Sequence, residues 1–211
     1  TPSFFVSPSR QIWHCFGCSR GGDIFKFLTE IEGHDFPEAL RLLAERAGIE
    51  LKREDPAIRS ERNRLYDICE EAAKIFEKNF SVTPAVKNYM RSRGAKEDTL
   101  LEFRVGFAPR QWDFLLKALT AKRFKAEEIE KAGLALKGEG TSWHDRFRGR
   151  IIFPISDANG RIIGFGGRIF EQESGIRNQE SGKTEAKYIN TPNTLIYDKS
   201  RVLYGFDKAK H

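Results

Sequence analysis

Arg150-Ile151-Ile152-Phe153-Pro154-Ile155-Ser156-Asp157-Ala158-Asn159-Gly160-Arg161-Ile162-Ile163-Gly164-Phe165-Gly166-Gly167-Arg168 is the stretch that decides the fold. Two apolar runs, Arg150–Ile155 and Arg161–Arg168, flank the turn segment Asp157-Ala158-Asn159-Gly160. Asn-Gly between two apolar runs is a strong hairpin signal. The spacing therefore predicts an antiparallel pair here. Working outward, Leu134–Leu136 is a further strand-like run before a turn at Gly138-Glu139-Gly140. Phe103-Arg104-Val105-Gly106-Phe107 and Val202-Leu203-Tyr204 read as two more strands.

Helical periodicity fills the region before this sheet. A long helix is expected over 58–80, with Leu65, Ile68, Cys69, Ala72, Ile75 and Phe76 as its apolar face. Cys69 is thus a packing residue. Pro84 opens a shorter helix that closes at Gly94, residues 96–101 form a helical turn, and Trp112–Leu119 and Ala126–Lys131 are two more helices. At the start of the chain, Phe4-Phe5-Val6 and Gln11-Ile12-Trp13-His14 form a small β ribbon around Ser7-Pro8-Ser9. Two helices follow, one capped by Asp23 and ending at Gly33, the other with Pro37 in its first turn and Gly48 at its end. Residues 50–57 are polar and carry a proline, which suits a linker, and residues 171–186 are polar and suit a mobile loop.

Composition sets the class. Hydrophobic residues are 39% of 211, too many for a disordered chain. No apolar run reaches the roughly 18 residues of a membrane span, and no secretory leader is evident, so a cytoplasmic protein is expected. Position 1 is Thr, as expected for a piece of a longer chain. The net charge of +6 is modest, but its distribution is informative: Arg146 to Arg168 holds five arginines and one carboxylate, Asp157. Arginines on an ordered sheet are a nucleic-acid signal. Three cysteines cannot build a disulfide framework. Cys15 and Cys18 form a C-x-x-C pair behind a β ribbon, the form of a zinc knuckle, with an inert thiol pair as the bland alternative. His14 adjoins Cys15 on a strand, so the two side chains point to opposite faces.

Thr1-Pro2-Ser3-Phe4, His14-Cys15-Phe16-Gly17-Cys18 and Gly21-Gly22-Asp23 resemble the zinc-binding domain of bacterial replicative DNA primases (DnaG-like). The resemblance continues in order through Arg93-Gly94, Phe103 to Pro109, Asp145-Arg146-Phe147-Arg148 and Phe153-Pro154-Ile155. It goes on through Gly160 to Arg168, Lys187-Tyr188-Ile189-Asn190-Thr191-Pro192, and Tyr197-Asp198-Lys199 to Leu203-Tyr204-Gly205. It implies a structural Zn2+ held by a Cys-His-Cys-Cys set, of which Cys15 and Cys18 are one pair. The other pair would sit in a C-P-x-H-x-E-K segment ahead of Thr1. It also implies an α+β architecture: a truncated zinc ribbon with following helices at 1–49, the linker at 50–57, and at 58–211 the N-terminal basic subdomain of a primase RNA polymerase core. That subdomain would be a mixed α/β unit with a strongly twisted, mostly antiparallel sheet.

The family's catalytic carboxylates, which hold Mg2+ or Mn2+, belong to a Toprim subdomain expected after this chain. No catalytic residue is therefore expected here, and the isolated piece is predicted inactive. The parent would make short RNA primers on single-stranded DNA, with template, RNA–DNA hybrid and nucleoside triphosphates as ligands and a replicative helicase as partner. By resemblance, Arg93, Arg146, Lys187, Tyr188, Asn190 and Lys199 line the template and nucleotide groove. Charge and position add Arg148 and Arg168. A free-standing zinc-ribbon DNA-binding module and a phage-type primase–helicase are the alternatives.

Overall fold

The computed structural model describes residues 3–51, 55–138, 140, 142–170 and 186–209. The chain divides into two units, Thr1–Asp55 and Pro56–His211. Residues 52–54 of the expected linker and 171–185 of the expected mobile loop lie outside the described residues.

In the first unit, β1 (Phe4–Ser7), β2 (Ile12–Cys15) and β3 (Arg20–Gly22) form an antiparallel sheet in that order. Asp23 caps α1 (Ile24–Ile31), its carboxylate accepting the Lys26 amide at 2.8 Å. Asp35 and Glu38 close a capping box on α2 (Phe36–Arg46). The core is small. Phe4 stacks on Trp13 at 5.5 Å, Phe27 meets Trp13 edge-on at 5.6 Å, and Leu28, Ala39 and Ala44 are buried.

The second unit is organised by α3 (Pro56–Ser81). Pro56 opens it, so the helix takes the last two positions of the expected linker. Leu65, Ile68, Cys69, Ala72, Ala73, Phe76 and Phe80 recur at three- and four-residue steps and are all buried. α4 (Pro84–Ser92), α5 (Glu97–Glu102), β4 (Gly106–Ala108), α6 (Phe114–Ala121) and α7 (Ala126–Lys131) follow. Then come β5 (Ala135–Lys137), β6 (Trp143–Asp145), β7 (Arg150–Ser156), β8 (Ile162–Ile169), β9 (Tyr188–Asn190) and the short α8 (Phe206–Ala209). One sheet has the order β4-β7-β8-β9, and β5 pairs with β6; every pairing among the described residues is antiparallel. The α+β class holds.

The central sheet is covered on both faces. Ile152 and Phe165 point into the main core with Phe76, Leu115, Leu119, Ile129 and Phe147. Ile151 joins Phe80, Val86, Leu100, Val105 and Phe107 on the other side. Truncating a wholly buried ring such as Phe165 to alanine costs about 3–5 kcal/mol by the usual large-to-small range.

The expected hairpin forms, and two other expectations shift. Asp157 donates its amide to the Arg161 carbonyl at 2.9 Å, Gly160 donates to Asp157 at 3.0 Å, and Gly160 alone takes positive φ, at 80°. This is the three-residue loop with glycine in the left-handed position. The strand expected over 103–107 begins only at Gly106. α5 closes first, with amides of Arg104 and Val105 donating to Leu101 and Leu100 at 3.0 and 2.9 Å. Arg104 holds φ 53° there, and its guanidinium grips Glu70 and Glu77 of α3. Val202–Tyr204 forms no strand. It is irregular, with Leu203 exposed and a turn beginning at Tyr204, which stacks on Phe103 at 6.0 Å.

Candidate nucleic-acid interface

β9 is a three-residue strand at the edge of the central sheet, paired as Gly166↔Asn190, Gly167↔Ile189 and Arg168↔Tyr188. Side chains alternate along strands and partners share a face. Ile189 packs on the main core, and Lys187 lies in a bend just before the strand. Arg168, Tyr188 and Asn190 therefore share the other face, beside Gly166. Arg168 has its guanidinium carbon 5.0 Å from the Tyr89 ring centre and 6.0 Å from that of Tyr188. Tyr89, on α4, is itself fixed edge-on against Phe170 at 5.6 Å. Tyr188 is 60% exposed, too open for a packing residue and suited to stacking on a flat ligand.

So short an edge strand needs anchoring, and three side chains supply it. Arg146 donates Nε and Nη2 to the Asn190 carbonyl at 3.3 and 3.2 Å. Burial lowers its pKa from the usual guanidinium value. Thr191 is wholly buried; its hydroxyl accepts the Phe165 amide at 2.9 Å and donates to the Phe165 carbonyl at 3.3 Å. Phe165 thus directs its backbone groups away from its partner Pro154, and a proline is tolerated in an inner strand. Arg150, 5% exposed, donates Nη1 to the carbonyls of Ala186 at 2.9 Å, Gly167 at 3.4 Å and Lys187 at 3.5 Å.

A second cationic cluster sits at β6. Trp112 stacks on His144 at 4.4 Å and carries the Arg148 guanidinium 4.5 Å from its ring centre. Arg148 also donates to the Asp145 carbonyl at 2.6 Å. Burial and the Arg148 charge lower the His144 pKa from the usual imidazole value. Beneath, the Asp145 carboxylate accepts the Leu115 and Leu116 amides at 2.7 and 2.9 Å, tying β6 to the start of α6. Burial pushes that carboxyl up to about 6 against the pull of the two amides.

The expected site residues therefore fall in several places. Arg168, Tyr188 and Asn190 come together, with Arg146 bracing Asn190 from behind. Lys187 is exposed in a bend immediately before the strand. Arg148 belongs to the Trp112 cluster. Arg93 is the exposed residue that ends α4, one helical turn beyond Tyr89. Lys199 is exposed in a loop, where its backbone amide donates to Asn193 Oδ1 at 3.2 Å. Tyr89, Trp112, Arg150 and Thr191 were not anticipated. Only Arg150 carries a signal in the sequence: a cation in step with Ile152 on a core-facing strand position must find buried acceptors.

In the first unit, the Cys15 thiol lies under the amides of Cys18 and Gly17, with the Ser3 hydroxyl at 3.7 Å. These donors, the Cys18 amide foremost, lower it to about 7, within reach of the thiolate a metal needs. Cys18 is exposed on the same turn. Among the described residues no group of three or more Cys, His, Asp or Glu side chains converges. The two thiols fit one half of a tetrahedral zinc site.

Residues 75–210 match the family of the DNA primase catalytic core, N-terminal domain, and residues 1–59 match the CHC2 zinc finger. The DNA primase of Thermotoga maritima is 38% identical over 209 residues, covering 99% of this chain. The chain spans 35% of that relative's length. The Aquifex aeolicus primase structure (zinc-binding and RNA polymerase domains) aligns with a TM-score of 0.60 at 30% identity, covering 98% of this chain and 48% of that one. The RNA polymerase domain of Mycobacterium tuberculosis primase DnaG aligns with a TM-score of 0.62 at 35% identity, covering 70% of this chain and 44% of that one. That domain was solved with a double-stranded DNA oligomer bearing a 6-nucleotide overhang. On the span and identity of these matches, the chain belongs to the DNA primase family, as the N-terminal domain of the catalytic core preceded by CHC2 zinc-finger sequence.

Proposed function

We propose that this chain is the template-holding part of a primase that lays short RNA primers on single-stranded DNA. The observation that carries the reading is the edge strand β9, with Arg168, Tyr188 and Asn190 on one face and the exposed Lys187 immediately ahead of the strand. A strand-edge ridge flanked by cations and carrying one open aromatic ring suits a single-stranded backbone. Arginine and lysine meet phosphates, Tyr188 stacks on a base or sugar, and Asn190 hydrogen-bonds a base edge or backbone. Arg148 on its Trp112 platform extends this surface. Arg93 and Lys199 mark its outer limits, and Arg146 serves it chiefly by holding Asn190 in place.

The chemistry of primer synthesis needs divalent ions, Mg2+ or Mn2+, to stabilise phosphoryl transfer. None of the proposed contacts is a carboxylate, so this surface holds template, RNA–DNA hybrid and incoming triphosphate, and joins no nucleotides itself. Cys15 and Cys18 are two ligands of a structural zinc completed by donors outside the described residues. In the cell the whole protein works in the cytoplasm with the replicative helicase. Among the described residues no helix is long and apolar enough to cross a membrane.

The test is salt-dependent binding of a fluorescent oligo-dT to the full chain and to Lys187→Ala/Arg168→Ala. Each phosphate contact contributes about 0.7 to the slope of log K against log salt for single strands, so the double variant should lose roughly 1.4. Equal slopes for the two proteins would refute the surface assignment.

A further inference from the structure

We propose that Arg150 is a positioning residue for nucleic-acid binding, which presents Lys187 and Tyr188 by clamping the point where the chain re-enters the sheet. The proposal rests on the reading of β9 given above. Arg150 lies on β7, opposite Ile169 of β8. It touches no proposed ligand, yet its guanidinium crosses β8 to reach carbonyls on the next segment, Ala186 at 2.9 Å and Lys187 at 3.5 Å.

The crossing is built into the sequence. The residue in its path is Gly167, where a Cβ would lie 3.2 Å from Arg150 Cδ and 2.7 Å from Phe147 Cδ1. A side chain at 167 would close the passage. The Gly167 carbonyl itself takes a bond from the same Nη1 at 3.4 Å. One cation thus fixes both β8 at Gly167 and the return of the chain at Ala186, while Ile169 donates its amide to the Lys187 carbonyl at 2.9 Å. Because β9 has only three residues, its register at the Lys187 end depends on few other bonds. Thr191 and Arg146 secure the far end, at Phe165 and Asn190. Arg150 is the matching anchor at the near end. Arginine suits this role because its weakly hydrated guanidinium can be buried against carbonyls, whereas a lysine ammonium is strongly hydrated.

The experiment is a double-mutant cycle on the full chain with oligo-dT, comparing wild type, Arg150→Met, Lys187→Ala and the double variant. Amide exchange is measured by NMR on the free proteins. Lys187→Ala should lower the salt slope by about 0.7, so that its affinity falls roughly 2.6-fold less than that of wild type between 50 and 200 mM salt. Arg150→Met should produce the same change in slope, and the slope of the double variant should match that of Lys187→Ala alone. The Ile169 amide should exchange faster in Arg150→Met, while the Phe165 amide, held by Thr191, stays protected. If Arg150→Met does not fold, Arg150→Lys takes its place in the cycle with the same criteria. Additive effects, an unchanged slope or an unchanged Ile169 exchange rate in the Arg150 variant overturn the positioning role. A flat response to Lys187→Ala instead overturns the β9 reading itself, and the Ile169 exchange rate then judges the clamp alone.

Discussion

Thr191→Val isolates the bond that locks β9 to β8. The side chain is wholly buried, and valine keeps its shape, so no cavity forms. The variant removes one hydroxyl that serves Phe165 twice, accepting from its amide at 2.9 Å and donating to its carbonyl at 3.3 Å. The carbonyl keeps a partner, because the Thr191 backbone amide donates to it at 2.8 Å. The Phe165 amide loses its acceptor in a site closed to water. An orphaned buried donor costs about 1–3 kcal/mol, so a loss near 2 kcal/mol is expected. For a chain of this size that lowers the midpoint of thermal unfolding by roughly 4–8 °C. Thr191→Ser makes the comparison. It keeps the hydroxyl and gives up a methyl that packs over Gly133, for about 1 kcal/mol. Denaturant unfolding, followed with amide exchange at Phe165, should rank wild type above serine and serine above valine, with Phe165 deprotected only in valine. A valine variant as stable as the serine one would show that the hydroxyl is not what holds the strand.

Neighbouring glycines should respond oppositely. Gly167→Ala drives a methyl into Phe147 and should destabilise by about 1–3 kcal/mol. Gly166→Ala meets nothing nearer than Asn190 Oδ1 at 3.1 Å; it should keep thermal stability while weakening oligo-dT binding, since its methyl stands on the Tyr188 face. Arg104→Met should cost about 1 kcal/mol at neutral pH once solvent screening is allowed for, even in this networked pair. Hydrogen bonding to Arg104 holds the Glu70 pKa below its usual 4.5, so this stabilisation is present above that pH and lost as the pH falls through the folded value. Unfolding curves of wild type and variant should converge in acid. Thiol titration of the metal-free native protein should find Cys15 and Cys18 reactive, the former half-activated near pH 7, while Cys69, whose thiol burial raises to about 12, reacts only on unfolding.

Local chemistry explains which parts were legible in the sequence. The β7–β8 hairpin announced itself because Asn159-Gly160 separates two β-branched runs. α3 did so because Leu65, Ile68, Cys69, Ala72 and Phe76 keep one face. β6 was hidden: Trp143-His144-Asp145 alternates nothing, and it is a strand because it pairs with β5 and because Asp145 reaches across 30 residues to the Leu115 amide. Val202–Tyr204 misled for the converse reason. Its residues favour strands, but the segment pairs with no strand and runs irregularly into a turn at Tyr204.

The site divides along the same line. Arginines and the Lys187–Asn190 run could be named from charge and motif. What could not be named was the support beneath them, since Arg150, Thr191 and Tyr89 act through partners that only register brings near. A three-residue edge strand can present a cation and an aromatic ring only if its carbonyls are held from elsewhere, and Arg146 and Arg150 do this at its two ends. Of the five arginines in the basic stretch, Arg146 and Arg150 are turned inward to the backbone and Arg161 pairs with Asp157 in the hairpin turn, so on the proposed reading Arg148 and Arg168, with Lys187, face the phosphates. The salt slope should accordingly report about three phosphate contacts, or roughly −2 for single strands, far fewer than the arginine count would suggest.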